Sequence, residues 1–408
     1  MNSGRIMSLQ YDVVVVGAGP VGGYLARALC ESGHSVLILE EHAQIGRPFQ
    51  CAGLVNPGAM DSVGLEHTIL TEIWGANIHS PSGTKVSVGS PSTIRTLSVC
   101  RKLFDEAVVM QAIESGAQLS LSSKPIDATV SDSGVKITID SNGSITEVDA
   151  KLLCGADGAH SWVRRVFRMG KPTERMIGFQ IEVTGYRGDP GRLDMYTGTE
   201  VAPGFFAWAI PSGETTRIGT WTKSGLLPSD ISCENLLENL QSDDKWRGRF
   251  SDCKEIGRYC GPIPSGIVKK PLIERVALFG DAAGLCKPTT GGGIGPGFRQ
   301  VDLLVPHLSN ALNNNDLASK RMSSIARKLS DMARDQRRKR ALRDAFLTEL
   351  SDLELDEIFS VWAKPEVTAL INEFGDIENP IPLGIKMLKD VPEFRRLAGR
   401  AAKAVLWG

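Results

Sequence analysis

Residues 11–22 read YDVVVVGAGPVG, a β-branched run that leads directly into a glycine-rich turn. The four valines predict a short strand buried on both faces, as strands of parallel sheets are. Gly17, Gly19 and Gly22 then form the pattern GxGxxG at the start of a predicted helix. Such a turn aims backbone amides at a pyrophosphate, and we place Ala18 in the same site.

An acidic residue completes this motif. HSVLILEE (34–41) is the second predicted strand, and Glu40 lies near its end. A carboxylate about 20 residues after the glycines accepts hydrogen bonds from a ribose. Glycine-rich turns also occur without a nucleotide. Here strand, turn, helix, strand and acid follow in the order of a dinucleotide-binding β-α-β unit.

Two later stretches favour FAD over NAD. LFGDAAG (278–284) places Asp281 at a strand end, where it can reach a ribityl hydroxyl or the pyrophosphate, or simply cap a helix. TTGGGIGPG (289–297) is a loop whose amides can lie against a flat ring, because glycines remove side-chain obstruction. The predicted contacts of this loop are Gly292, Gly293 and Ile294. We therefore predict FAD as the cofactor.

The composition is that of an ordinary globular chain. The 408 residues carry a net charge of −1, which gives no electrostatic reason to expect nucleic acid. No apolar run reaches the ~18 residues of a membrane span. The eight cysteines include no CxxC pair and, with six histidines, give no zinc signature. We expect free thiols in a reducing cytoplasm, with a Cys253–Cys260 pair left open.

The pattern along the chain predicts an α/β protein of three parts: a Rossmann-like FAD-binding domain, an antiparallel β-sheet substrate domain and a helical C-terminal region. The predicted FAD-binding domain is discontinuous and comprises residues 9–76, 95–172 and 270–320. The substrate domain comprises residues 77–94 and 173–269, and the helical region runs from 321 to 408.

CGADGAHSWVRR (154–165) adds an internal DG pair between the GxGxxG and the late GD pair. In this order the three motifs resemble those of the FAD-dependent hydroxylase superfamily. The resemblance implies a domain of the hydroxylase and glutathione-reductase type, with Arg101 near the pyrophosphate and ribityl chain and Ala128 among the cofactor contacts. The alternative for Arg101 is a solvated helix start, and Asp157 and Arg164 can equally brace the fold.

GRPFQCAGLV (46–55) narrows the resemblance. This stretch and KPTTGGGIGPGF (287–298) are similar to those of geranylgeranyl reductases, in particular the archaeal digeranylgeranylglycerophospholipid reductase type. The cofactor contacts that the resemblance implies here are Arg47, Cys51, Ala52 and Gly53. Cys51 is also our candidate catalytic residue, because the pKa of a thiol is tunable by its surroundings. The alternative is a buried structural cysteine.

PGFFAWAIP (203–211) is similar to the YxWxFP substrate-cavity signature of the same family. Phe206 replaces its tyrosine and Ile210 its phenylalanine, which leaves an apolar, aromatic wall without the hydroxyl. The substrate contacts that the resemblance implies are Phe206, Trp208 and Pro211. Alternatively, these aromatic residues fill the core of the β-rich domain.

The resemblance implies FAD-dependent reduction of isoprenoid C=C bonds of geranylgeranyl chains in archaeal ether lipid precursors. An isolated alkene is not polarised, so proximity to the flavin in a dry pocket must supply much of the effect. The electron donor stays open among NADPH, reduced ferredoxin and a deazaflavin. So does the head group, since a chlorophyll or quinone tail is an alternative substrate.

Two other functional classes stay open. An oxygen-using hydroxylase or halogenase is one, because Trp208 to Pro211 resembles part of the halogenase signature WxWxIP, although Phe206 stands where its first tryptophan belongs. A flavin-bearing lipid carrier or redox sensor without turnover is the other.

Basic residues concentrate near the end of the chain. RDQRRKRALR (334–343) is typical of a solvated helix face. Residues 381–408 alternate apolar and basic positions at helical spacing, which suits either packing on the body or contact with an anionic bilayer. We expect a cytoplasmic enzyme in peripheral contact with the inner face of the cell membrane.

Overall fold

The strands of the molecule form three sheets. The computed structural model describes residues 9–47, 51–375 and 381–397. The strands are β1 (Leu9–Val16), β2 (Val36–Leu39), β3 (Leu54–Val55), β4 (Ile69–Ile73), β5 (Gly75–His79), β6 (Lys85–Gly89), β7 (Thr96–Val99), β8 (Gln118–Ser120), β9 (Ser123–Ser131), β10 (Gly134–Ser141), β11 (Ser144–Gly155), β12 (Glu174–Thr184), β13 (Arg192–Tyr196), β14 (Ala207–Ser212), β15 (Thr215–Lys223), β16 (Lys254–Ser265), β17 (Leu272–Ile273) and β18 (Val276–Leu278).

The helices alternate with strands early in the chain and dominate its last third. They are α1 (Pro20–Glu31), α2 (Pro57–Asp61), α3 (Arg101–Glu114), α4 (Trp162–Val166), α5 (Cys233–Ser242), α6 (Arg247–Phe250), α7 (Ile294–Asn313), α8 (Ser319–Ala326), α9 (Ser330–Arg343), α10 (Asp352–Trp362), α11 (Pro365–Phe374) and α12 (Ile381–Asp390). Five short 3-10 turns and a π-helical segment, Asp344–Thr348, complete the described helical structure.

The first sheet has the parallel centre that the valine run predicts. β1 lies between β2 and β11 and pairs in parallel with both, so that Val16 is opposite Leu39 and Gly155. Val13, Val14 and Val15 are fully buried between α1 and α7 on one face and the β9–β10–β11 meander on the other. The predicted α/β, Rossmann-like fold class is confirmed.

The second sheet is the predicted antiparallel sheet. Its strand order is β16-β12-β15-β14-β13-β5-β6, and all neighbours are antiparallel except β13 and β5. The hairpin of β5 and β6 joins this sheet from far away in sequence. One face is covered by α5 and α6, while Trp208 and Trp221 lie in the clusters of the opposite face. The domain boundaries that we assigned from the sequence stay a prediction.

A third, small sheet of β3, β7 and β4 lies where the other two meet. Leu54 in β3 is opposite Ser98 in β7. Val99 then leads into α3, whose Phe104 and Val108 are fully buried in the same cluster. This sheet therefore holds the stretch after Cys51 in place, and the preceding residues 48–50 lie outside the described part of the chain.

The predicted helical C-terminal region is confirmed in its described parts, residues 321–375 and 381–397. In the segment predicted as amphipathic, Met387, Val391 and Phe394 are buried against α10 and α11, while Ile385 is exposed. The described part of that segment therefore packs on the rest of the protein. Residues 398–408 lie outside the described part of the chain. In the described ranges no helix has the length and apolar character needed to cross a bilayer.

All eight cysteines are free thiols. The Cys253–Cys260 pair, left open by the sequence, is not formed.

Candidate active site

The glycine turn after β1 leaves open space in front of α1. Gly17 has φ +102°, and a Cβ on it would lie 2.6 Å from the carbonyl oxygen of Ala156. A Cβ on Gly22 would overlap the carbonyl oxygen of Gly17. A Cβ on Gly19, which caps α1, would meet no atom within 4 Å. The fold itself therefore requires Gly17 and Gly22, whereas Gly19 borders a space that suits a phosphate at the helix N-terminus.

Glu40 reaches this turn. Its Oε2 accepts a hydrogen bond from the backbone amide of Ala18 at 2.9 Å, and its Oε1 lies 2.6 Å from Nδ1 of His42. The acid that ends β2 and the glycine turn that ends β1 are thus adjacent, as the motif predicts.

The second glycine loop packs around Asp281. A Cβ on Gly293 would overlap Oδ1 of Asp281, so the loop backbone lies directly against this carboxyl group. The thiol of Cys286 donates to the same oxygen at 3.1 Å. Burial raises the pKa of Asp281, and burial together with the carboxylate raises the pKa of Cys286 well above its usual value. Ile294 is the first residue of α7.

Two hydroxyl groups in this loop are buried without a hydrogen-bond partner among the described residues. They belong to Thr289 and Thr290. An unsatisfied buried hydroxyl costs about 1–3 kcal/mol, so a native structure normally supplies a ligand or water there. The two glycine turns and these hydroxyls therefore fit a dinucleotide cofactor that spans from α1 to α7.

Cys51 is connected by hydrogen bonds to the substrate sheet. Its Sγ accepts from the amide of Gly53 at 3.3 Å, and its carbonyl oxygen accepts from Nε2 of Gln180 at 3.3 Å. Oε1 of Gln180 in turn accepts from Nε1 of Trp208 at 3.1 Å. The structure thus joins the predicted catalytic residue to a predicted substrate residue through Gln180, which our sequence interpretation missed.

Two arginines face the stretch around Cys51. Arg101 forms a bidentate ion pair with Asp105, with both N–O distances 2.8 Å. Burial opposes its charge, but Asp105 and the thiolate form of Cys51 raise the pKa of Arg101. Arg217 is 3% exposed, and its Nη1 donates to the carbonyl oxygens of Ala52 at 3.0 Å and Val99 at 3.1 Å. Burial lowers the pKa of Arg217.

Aromatic rings line the site face of the substrate sheet. Phe205 and Phe206 meet the ring of Trp221 edge to face, at centroid distances of 4.8 and 5.5 Å. Trp208 packs over Gly219 and against the same cluster, and Pro211 lies further along β14, opposite Thr216. A Cβ on Gly291 would lie 3.3 Å from Cζ3 of Trp221, so the aromatic cluster touches the second glycine loop.

The remaining predicted residues lie farther from this cluster or brace the fold. Arg47 is exposed beside residues 48–50. Ala128 lies on β9 opposite Ile137 and packs on the core. Asp157 accepts from the amide of Val163 at 3.0 Å, which braces the start of α4. Arg164 donates to the carbonyl oxygens of Ala159 and Ala282. These bonds brace the fold, while the second carboxylate oxygen of Asp157, Oδ1, is buried without a hydrogen-bond partner among the described residues.

A buried ion network, which our sequence interpretation missed, connects the C-terminal helices to the site. Glu174 on β12 accepts from Arg340, Arg343 and Lys223 at 2.6–2.9 Å. Nη1 of Arg343 also donates to the carbonyl oxygen of Pro288 at 2.9 Å, and its guanidinium lies 4.8 Å from the ring centre of Phe205. Arg343 therefore contacts the second glycine loop and the aromatic cluster together.

Comparison with known proteins identifies the family to which the chain belongs. Residues 10–324 match the family described as FAD binding domain. Digeranylgeranylglycerophospholipid reductase 1 of Methanothermobacter thermautotrophicus is 30% identical over 369 residues, which cover 86% of this chain and 90% of the relative. Reductase 3 of Methanosphaera stadtmanae is 28% identical over 374 residues, covering 88% and 93%.

Solved structures share the fold. A geranylgeranyl bacteriochlorophyll reductase-like protein of Thermoplasma acidophilum superposes with a TM-score of 0.85 at 22% identity, covering 96% of this chain and all of the other. The flavin-dependent brominase Bmp2 superposes with a TM-score of 0.72 at 17% identity, covering 95% and 99%. The chain belongs to the FAD binding domain family and, within it, to the family of the digeranylgeranylglycerophospholipid reductases. The predicted FAD cofactor is thereby confirmed.

Proposed function

We propose that the protein is an FAD-dependent oxidoreductase that reduces C=C bonds of geranylgeranyl chains in archaeal ether lipid precursors. The observation that carries this proposal is the direct packing of the second glycine loop on the cluster of Phe205, Phe206 and Trp221. The loop residues that would hold the flat ring of the cofactor therefore lie next to an apolar wall, which suits an aliphatic substrate. The names of the archaeal relatives support the same substrate class.

The cofactor-binding residues follow from the two glycine turns. Gly17, Ala18, Gly19, Gly22 and Glu40 would hold the pyrophosphate and adenosine ribose. The groups proposed for the rest of the cofactor are Arg47, Cys51, Ala52, Gly53, Arg101, Ala128, Asp281, Gly292, Gly293 and Ile294. When bound and reduced, FAD would supply the hydride for one carbon of the double bond.

The side chains of the protein would position the substrate, exclude water and provide a proton. Phe206, Trp208 and Pro211 would hold the chain, and the buried aromatic wall excludes water from the reacting carbons. The second carbon needs a proton, and we assign it to Sγ of Cys51.

The partners that we propose are a geranylgeranyl lipid and an electron donor, for which NADPH, reduced ferredoxin and a deazaflavin stay open. The geranylgeranyl tail of a chlorophyll or a quinone remains an alternative substrate. Because the substrate is a membrane lipid, we propose a cytoplasmic enzyme in peripheral contact with the inner face of the membrane.

The second candidate is an oxygen-using halogenase or hydroxylase. The superposition with the brominase and the sequence from Trp208 to Pro211 favour it. Phe206 stands against it, since the first tryptophan of the halogenase signature is missing.

One experiment separates the two. The purified yellow protein is reduced with dithionite and mixed with unsaturated archaeal phospholipid without oxygen, and the product mass is measured. The reductase adds two hydrogens per bond, whereas an oxygenase needs oxygen and adds an oxygen atom. No gain of hydrogen mass under these conditions contradicts the proposed function.

A further inference from the structure

Eight exposed cations from three separate segments form what we call the basic patch: Arg168, Lys171, Arg175, Lys269, Lys270, Arg334, Arg337 and Arg338. We propose that this patch docks the protein on an anionic lipid bilayer. The choice of a lipid bilayer as the binding partner rests on the proposed function, because a lipid-reducing enzyme must collect its substrate from a membrane.

The three segments are adjacent although they lie far apart in sequence. The amide of Lys270 donates to the carbonyl oxygen of Met169 at 3.2 Å, and a Cβ on Gly170 would lie 3.5 Å from the amide nitrogen of Lys269. The amide of Ile267 donates to Oε1 of Gln336 at 3.1 Å. The loop after α4, the turn before β17 and helix α9 are therefore adjacent in the fold.

The described acidic residues of these segments pair with only one cation of the patch, Arg334. Glu174 is buried in its ion network, Asp335 pairs with the buried Lys339, and Asp331 pairs with Arg334. Seven of the eight cations of the patch have no ion-pair partner within the described ranges: Arg168, Lys171, Arg175, Lys269, Lys270, Arg337 and Arg338. Since the whole chain carries only −1, this local excess of positive charge is a strong asymmetry.

Helix α9, which carries three cations of the patch, contacts the second glycine loop through its other face. Gln336 donates to the carbonyl oxygens of Gly284 and Cys286, and Arg343 donates to that of Pro288. A bilayer on the outer face of α9 would therefore lie one helix away from the second glycine loop. The exposed side chain of Val166 adds an apolar group at the edge of the patch.

A planar anionic surface recognises such a patch by charge alone. Each lysine or arginine near an anionic leaflet contributes about fivefold in affinity, and salt weakens the effect. Removing four cations is therefore expected to lower binding on the order of several hundredfold.

The test compares two matched variants of the flavin-loaded full chain. The patch variant replaces three lysines and one arginine by glutamine: Lys171, Lys269, Lys270 and Arg338. The control variant makes the same change at four exposed cations elsewhere: Lys85, Lys124, Lys254 and Arg247. Each protein is sedimented with vesicles of phosphatidylcholine, with and without phosphatidylglycerol, over a range of salt concentrations.

The unchanged protein and the control variant should sediment only with phosphatidylglycerol vesicles at low salt, and the patch variant should stay in solution. Flavin absorbance and reduction of detergent-dispersed substrate should be equal in all three. Equal sedimentation of the patch variant, or binding to nucleic acid or to acidic protein instead of vesicles, overturns the inference. Patch-dependent sedimentation without any lipid reduction would leave the docking surface standing and contradict the proposed function.

Discussion

The guanidinium of Arg217 occupies the space that a side chain on Gly53 would need. A Cβ on Gly53 would overlap Nη1 of Arg217, which is held by the carbonyl oxygens of Ala52 and Val99. Gly53 has φ +75°, a conformation that other residues adopt only with strain. The stretch after Cys51 is thus shaped around an arginine from the substrate sheet.

Replacement of Gly53 by alanine should therefore disturb both the fold and the flavin site. We expect the free energy of unfolding to fall by about 1–3 kcal/mol, because the overlap forces Arg217 from its carbonyl partners. The flavin absorbance per protein should fall with it. Gly58→Ala is the matched control, since a Cβ there meets no atom within 4 Å. Equal thermal midpoints for the two variants would contradict the packing described.

The two glycines of the first turn should separate fold from cofactor. Gly19→Ala should leave the free energy of unfolding of the flavin-free protein within about 0.5 kcal/mol, because the space around it is open. It should weaken FAD binding at least about tenfold, by obstructing the pyrophosphate. Gly17→Ala should destabilise the flavin-free protein itself. Titration of the flavin-free proteins with FAD and urea unfolding test both statements, and undiminished FAD affinity in Gly19→Ala would count against the assigned cradle.

The role of Cys51 is open to a direct kinetic test. Cys51→Ala should keep its flavin and its rate of flavin reduction by dithionite. Lipid reduction should slow at least about 100-fold, the usual contribution of a positioned proton donor. Cys260→Ala, which changes an exposed thiol, serves as the control. Full turnover of Cys51→Ala would reduce Cys51 to a structural residue.

The ion network at Glu174 predicts a defined acid sensitivity. Burial opposes ionisation, but hydrogen bonds from Arg343 and Lys223 lower the pKa of Glu174 to about 2. The stabilisation is complete above the ordinary glutamate pKa of about 4.3 and is lost as the pH falls towards 2.

Glu174→Gln should lower the free energy of unfolding at neutral pH by on the order of 3 kcal/mol, because it removes the ion-pair partner of Arg340 and leaves Arg343 and Lys223 with Asp344 alone. Its unfolding should also depend less on pH between about 4.3 and 2. Glu147→Gln, which breaks the exposed pair with Lys136, should cost less than about 1 kcal/mol. Identical pH profiles for the unchanged protein and Glu174→Gln would refute the assignment.

The parts of the fold that the sequence predicted have local patterns. The valine run and GxGxxG place β1 and α1, and the alternation after residue 175 indicates the antiparallel sheet. Glu40 and Asp281 were predictable because each follows a strand that ends at the cofactor edge of a sheet. In these cases the functional residue and the element that positions it lie within the same short stretch of sequence.

Gln180, Arg217 and Arg343 lacked such a pattern. Each contacts the site through a partner at least 55 residues away in the chain, so only the assembled sheets bring them there. One signal was available for Arg217: it alternates with Gly219 and Trp221 on one face of β15, and a charged residue on the same face as a tryptophan indicates a buried partner.

The network around Arg343 also sets a limit on exchanging parts between relatives. The family match ends at residue 324, yet Arg340 and Arg343 beyond it neutralise Glu174 and hold the Pro288 carbonyl. A chimera joined after residue 324 inherits a carboxylate from one parent and its counter-ions from the other. Only a parent protein whose C-terminal segment supplies two matching arginines would give a chimera that retains its flavin.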